Sequence, residues 1–214
     1  MSEVLPRSAM TQVTLSDIKK KATAAYWSLW SQARSVGRDV KIYLHWTAGR
    51  YGQFWDDYHI QIDRGGEIYM PAGVGLDDIL YGTWRRNTGS IAISLLGCYD
   101  ATPEGLGSDP PTAAQSETMS QVGTVLANAL DLTIDKARVM THGEAGDNED
   151  GVWCHDPYGP KSTVERWDLE FLGTPESPVY DPYGSKGYRR GGEVIRGKAN
   201  WYRKVGIKGV YDPR

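Results

Sequence analysis

KIYLHWTAG, residues 41–49, is an apolar run that gives way at its end to small and polar residues, the signature of a short buried strand meeting a turn. His45 sits at or just before that terminus, where side chains emerge at a sheet edge and can line a site. A second fragment, VMTHGEAG (139–146), has the same form: Val139-Met140 reads as a brief strand that delivers Thr141-His142. A third, VERWDLEFL (164–172), carries Asp168 into an apolar segment. Two histidines and a carboxylate are a common ligand set for a hydrolytic zinc site, because three protein ligands leave the fourth tetrahedral position open to water.

The segments around these fragments predict an α/β fold, a central mixed sheet flanked by helices. Residues 15–36 read as a helix opened by Leu15-Ser16-Asp17, with apolar positions Ile18, Ala22, Ala25, Trp27 and Leu29. DYHIQIDRGGEIYM (57–70) reads as a hairpin turning at Asp63-Arg64-Gly65-Gly66. SIAISLLGCY (90–99) is a nearly continuous apolar strand, as at the centre of a sheet covered on both faces. A Gly/Pro-rich loop then leads through Thr112 into a helix over QSETMSQVGTVLANALDLT (115–133).

A chain of 214 residues can bury a full core. The expected division is one domain over 1–174 and a basic, aromatic-rich tail over 175–214 packing on it. That tail holds nine Lys/Arg against four Asp/Glu, about +5, which leaves about −8 for the rest. It has no convincing amphipathic period, and Tyr183, Tyr188, Trp201, Tyr202 and Tyr211 suggest an extended segment. A net charge of −3 gives no strong attraction to nucleic acid or membrane surfaces. No apolar run approaches the ~20 residues of a membrane helix, and MSEVLPRSAMTQVT shows no secretory h-region. The expectation is a protein made in the cytoplasm without a signal peptide. Cys98 and Cys154 lack CxxC spacing and indicate neither a disulfide framework nor a zinc knuckle.

Either histidine could instead be a buried residue satisfied by the backbone. The third ligand has three candidates on chemistry alone: Cys154, Asp156 and Asp168. Asp156 lies in Asp-Pro-Tyr-Gly, which recurs at Asp181-Pro182-Tyr183-Gly184 with no other ligand types nearby, and that repetition favours a turn role. Asp168 could serve as an N-cap or an ion-pair partner, and spacing does not separate these roles.

HWTAG (45–49), DDYHIQIDRGGEIY (56–69), RNTGSIAISLLG (86–97), a helix, THGEA (141–145) and ERWDL (165–169) form an ordered series. The series resembles the zinc-dependent N-acetylmuramoyl-L-alanine amidases of the type 2 family, which include phage amidase lysozymes and peptidoglycan recognition proteins. It spans roughly residues 40–172. The resemblance implies Zn²⁺ held by His45, His142 and Asp168, ranking Asp168 above Cys154 and Asp156. It also implies Arg166, two positions before the third ligand, and Tyr58 as catalytic partners. His59 is then structural, and Glu144 is either a support or proton-transfer group or a solvated loop carboxylate. Two departures stand out: Ser94 occupies the place of a catalytic Glu in the intracellular recycling members, and Gly82 falls where many members carry a histidine. The implied activity is cleavage of the lactyl–L-alanine amide of peptidoglycan by a monomer, in a phage or prophage endolysin acting on the cell wall after release, or in cytoplasmic wall recycling. The alternative is a module that binds peptidoglycan without cleaving it.

Overall fold

Two threonines start the two long helices. Thr14 accepts from the Asp17 amide while Asp17 accepts from the Thr14 amide, and Thr112 and Gln115 repeat the exchange. Each box satisfies two amides that a helix start leaves without a partner. The computed structural model describes residues 2–146, 168–181 and 183–213. In chain order the elements are β1 (Val4–Leu5), β2 (Met10–Val13), α1 (Leu15–Ser35), β3 (Lys41–Trp46), β4 (Phe54–Trp55), β5 (Ile60–Ile62), β6 (Ile68–Pro71), β7 (Ser90–Leu95), α2 (Ala113–Ala129), β8 (Val139–Thr141), α3 (His142–Gly146) and α4 (Gly191–Val205). A 3₁₀ turn at Arg7–Ala9 joins β1 to β2.

Six strands form one mixed sheet in the order β2-β6-β5-β7-β3-β8. β5, β7, β3 and β8 run parallel, whereas β6 pairs antiparallel with both β5 and β2. The expected hairpin is present as β5 and β6. It turns through Asp63, whose amide donates to the Glu67 carbonyl, and through Gly66 at φ +90°. All six residues of β3 and all six of β7 are buried, as two-sided cover of central strands requires. Ile42, Leu44 and Trp46 of β3 share a core with Ile91, Ile93 and Leu95 of β7 and with the inner stripes of α1, α2 and α4. The alternation of a strand sends Tyr43 and His45 to the other face, where Tyr43 packs with Met140 and Ala145.

Two sequence expectations change. Trp27 is 77 % exposed, because the buried stripe of α1 runs Ile18, Ala22, Ala25, Leu29, Ala33 and leaves it on the solvent side. The tail is not simply extended: Gly191–Val205 is helical, and Ile195, Ala199 and Tyr202, spaced four and three apart, bury one face of α4 in the main core. Thr124 Oγ1 donates to the Ala199 carbonyl at 2.8 Å, and Arg203 Nη2 donates to the Leu132 carbonyl at 2.7 Å, stitching α4 to α2 and the loop after it. Tyr183 and Trp201 remain exposed. Among the described residues no helix is long and apolar enough to cross a membrane.

Candidate metal centre

β3 and β8 are neighbouring parallel strands, with Leu44 opposite Thr141, so the residues that follow these two positions emerge at the same edge. Those residues are His45 and His142. The crevice beyond the carboxyl ends of parallel strands is where α/β sheets gather functional groups. His142 opens α3, and the turn is fixed by Thr141-His142-Gly143-Glu144: the Glu144 amide donates to Thr141 Oγ1 at 3.1 Å and Thr141 N–H donates to Glu144 Oε2 at 3.0 Å.

Asp168 enters the same place from a distant part of the chain. His45 Nδ1 lies 3.1 Å from His142 Nδ1 and 3.3 Å from Asp168 Oδ2, and His142 Nδ1 lies 3.4 Å from Asp168 Oδ2. All three residues are buried. Zinc–ligand bonds of ~2.0–2.1 Å in a tetrahedron separate neighbouring donors by about 3.3–3.4 Å, so the three atoms outline one face of such a shell. Two imidazoles and one carboxylate converging on a point could hold a metal ion. The donor types, nitrogen and carboxylate oxygen, fit zinc.

Thr83 Oγ1 is 3.3 Å from His45 Nε2, the nitrogen that faces away from the triad. Thr83 is itself held through its amide by Asn87 Oδ1 at 2.9 Å. The Tyr58 ring centroid lies 5.1 Å from that of His45, so the expected tyrosine is beside the triad. His59 is turned away: its Nε2 meets the Asp78 carbonyl at 2.8 Å and its Nδ1 accepts the Ala92 amide at 3.0 Å. Burial holds the His59 imidazole below its usual pKa, against the opposing Asp78 hydrogen bond. This is the structural histidine that the sequence suggests. Ser94 pairs with His45 across β7 and β3 and is fully buried. A Cβ at Gly82 would stand 3.7 Å from His45 Nε2, so the residue that departs from the family pattern borders the site.

Glu144 is not a solvated loop carboxylate. It is fully buried, and Arg196 of α4 grips both of its oxygens at 2.7 Å. Burial opposes its ionisation, yet the Arg196 guanidinium and the Thr141 amide together hold its carboxyl below the usual range. An acid so paired is poorly suited to proton transfer. Arg166, Cys154 and Asp156 lie outside the described residues.

Sequence reasoning missed Thr83, Arg190, Arg196 and Glu170. Nothing local marks Thr83. The T-x-x-E spacing of Thr141 and Glu144 was a readable signal for the cap, but its arginine lies some fifty residues further along the chain. A family profile described as N-acetylmuramoyl-L-alanine amidase matches residues 21–158. The matched span contains His45, Tyr58 and His142 and stops before Asp168, which joins the site through the geometry alone. No match was found among curated proteins or among solved structures.

Proposed function

Since the chain belongs to the N-acetylmuramoyl-L-alanine amidase family, we propose that it is a zinc-dependent hydrolase that cleaves the amide between the lactyl group of N-acetylmuramic acid and L-alanine in peptidoglycan. The observation that carries this reading is the convergence of His45 Nδ1, His142 Nδ1 and Asp168 Oδ2 within 3.1–3.4 Å of one another in a buried edge of the sheet. Zinc, when bound there, supplies Lewis-acid polarisation of the amide carbonyl and lowers the pKa of water toward ~7.

The protein's own groups do the rest. His45, His142 and Asp168 hold the ion with a donor set of net charge about −1, which leaves the centre electropositive toward a carbonyl oxygen. Thr83 Oγ1 accepts the N–H of His45 Nε2 and so keeps Nδ1 unprotonated for the metal. In hydrolysis the oxygen of water forms the new C–O bond at the carbonyl carbon and the C–N bond breaks. The L-alanine nitrogen leaves as an amine after gaining one proton, which is made good by the proton that the water loses. Tyr58 supplies a hydrogen bond or that proton, and the guanidinium of Arg166 stabilises the negative charge that develops on the carbonyl oxygen. Arginine stays protonated at any working pH, so its part is charge and hydrogen bonding and not acid catalysis. Ser94 beside His45 offers no carboxylate, which favours a wall-lytic role over the recycling arrangement.

The test is digestion of purified peptidoglycan with and without a chelator. Chelation is expected to abolish release of stem peptides, Zn²⁺ to restore it, and mass spectrometry to find free lactyl carboxyls on muramic acid. Full activity of demonstrably metal-free protein would sink the reading. Zinc binding without turnover would replace it with the peptidoglycan-binding module.

A further inference from the structure

The tail is tied to the triad at two points, and both have the same form. Two residues after His142 stands Glu144, and two residues after Asp168 stands Glu170. Both carboxylates are buried. Each is gripped at both oxygens by an arginine of the C-terminal segment. Arg196 Nη1 and Nη2 donate to Glu144 Oε2 and Oε1 at 2.7 Å each. Arg190 Nε and Nη2 donate to Glu170 Oε2 and Oε1 at 2.9 and 2.7 Å.

We propose that the C-terminal segment is a positioning device for the metal centre, in which Arg190 and Arg196 clamp the two carboxylates that set where Asp168 and His142 stand. The proposal rests on the assignment of these residues as metal ligands. A guanidinium fork on a carboxylate fixes orientation as well as distance, unlike an ammonium on the same carboxylate. Arg196 also donates to the Val139 carbonyl at 3.0 Å, so one side chain spans the strand that leads into His142 and the cap of the turn that bears it.

The second fork restrains a segment with its own conformational tension. Leu169, between Asp168 and Glu170, has φ +60°, a region that L side chains other than Asn and Asp rarely adopt without outside support. Glu170 is held there twice, by Arg190 and through its carbonyl by the Gly191 amide at 3.2 Å. The approach of α4 is close enough to demand glycine: a Cβ at Gly191 would fall 2.1 Å from the Leu169 carbonyl oxygen, and one at Gly192 would fall 2.8 Å from Glu144 Oε1. The helix that carries Arg196 is anchored independently in the main core by Ile195, Ala199 and Tyr202. The forks therefore refer both ligand segments to one fixed body.

A bland role, neutralising two buried carboxylates for the sake of stability, makes a different prediction. Arg196→Ala alone is uninformative if it leaves Glu144 buried without its partner and the chain does not fold. The paired variant Glu144→Gln/Arg196→Met removes both charges and keeps an acceptor for the Thr141 amide, and Glu170→Gln/Arg190→Met does the same at the other fork. Full-length protein, stripped of metal, is titrated with Zn²⁺ against a chromophoric chelator, and the metal-free thermal midpoint is measured beside it. Each paired variant is expected to keep the wild-type midpoint within a few degrees and to bind Zn²⁺ at least tenfold more weakly, the lower end of the about 10–100-fold lost with groups that orient metal ligands. Its kcat on peptidoglycan is expected to fall while KM stays near wild type. Wild-type Zn²⁺ affinity in both folded paired variants would overturn the positioning role alone. Failure of the wild-type chain to bind Zn²⁺ would overturn the metal-centre assignment beneath it.

Discussion

In the proposed centre His45 would bind metal through Nδ1, which leaves Nε2 to a second partner, the Thr83 hydroxyl at 3.3 Å. His59 shows the opposite disposition: both of its ring nitrogens are engaged by backbone groups, and that use of the ring is structural. Sequence could point to both histidines of the triad, because each follows a short apolar strand. It could not choose among Cys154, Asp156 and Asp168 without the family resemblance, because a carboxylate's role depends on what meets it in space. Asp168 Oδ2 stands 3.3 and 3.4 Å from the two imidazole nitrogens, and that placement supports the choice. Asp168→Ala is accordingly expected to lower bound zinc in purified protein at least tenfold, by analogy with other lost ligand-shell groups, whereas Cys154→Ser is expected to leave it unchanged. Metal content by atomic emission checks both, and the reverse pattern would transfer the ligand to Cys154.

Among the elements, α1 and α2 were readable because their starts carry side chains that satisfy the first amides. The α1 start expected at Leu15-Ser16-Asp17 is capped instead by Thr14 with Asp17, and the start expected through Thr112 is capped by Thr112 with Gln115. The hairpin of β5 and β6 was readable from the turn residues at 63–66. β2, one of the two edge strands, is not legible in sequence because it offers only MTQV and gains its partner β6 from far along the chain. α4 escaped because the glycines, arginines and lysines of GGEVIRGKANWYRKV surround a three-residue apolar stripe, Ile195, Ala199 and Tyr202. That stripe makes a prediction at this scale. Tyr202 is buried and its hydroxyl accepts from Gln121 Nε2 at 3.1 Å, so Tyr202→Ala is expected to cost about 3 kcal/mol by loss of a buried ring. In a chain of this length that lowers the thermal midpoint by roughly 6–12 °C. Trp201→Ala, on the exposed side of the same helix, is expected to cost under about 1 kcal/mol. Calorimetry of the two variants in parallel checks the orientation of α4, and equal losses would contradict it.

For the whole molecule, the charge asymmetry between the tail and the rest of the chain changes meaning once the fold is known. Arg190 and Arg196 are buried in ion pairs with Glu170 and Glu144, and Lys198 lies 3.4 Å from Glu117, so part of the basic excess faces acids of the same chain. Ending the chain after Gly173 would strip α4 from the core and leave Glu144 and Glu170 without these arginines. Breaking one buried pair costs about 3–5 kcal/mol, so two together cost about 6–10 kcal/mol, comparable to the about 5–15 kcal/mol that holds a typical domain folded. The truncated chain is therefore expected to lose its near-UV circular dichroism and its cooperative thermal transition, and not merely affinity for an anionic wall. A truncated chain with a wild-type transition would show the tail to be an appendage. The sequence by itself determined the α/β class, the two capped helices, the hairpin and the two histidines at strand ends, because period, caps and turn residues act between near neighbours. Only the tertiary structure decided that Asp168 meets those histidines, that Thr83 backs His45, and that two arginines of the tail grip the carboxylates two residues beyond Asp168 and His142. Those contacts join residues tens to more than a hundred positions apart, and their energy depends on burial and on fork geometry, which no local pattern encodes.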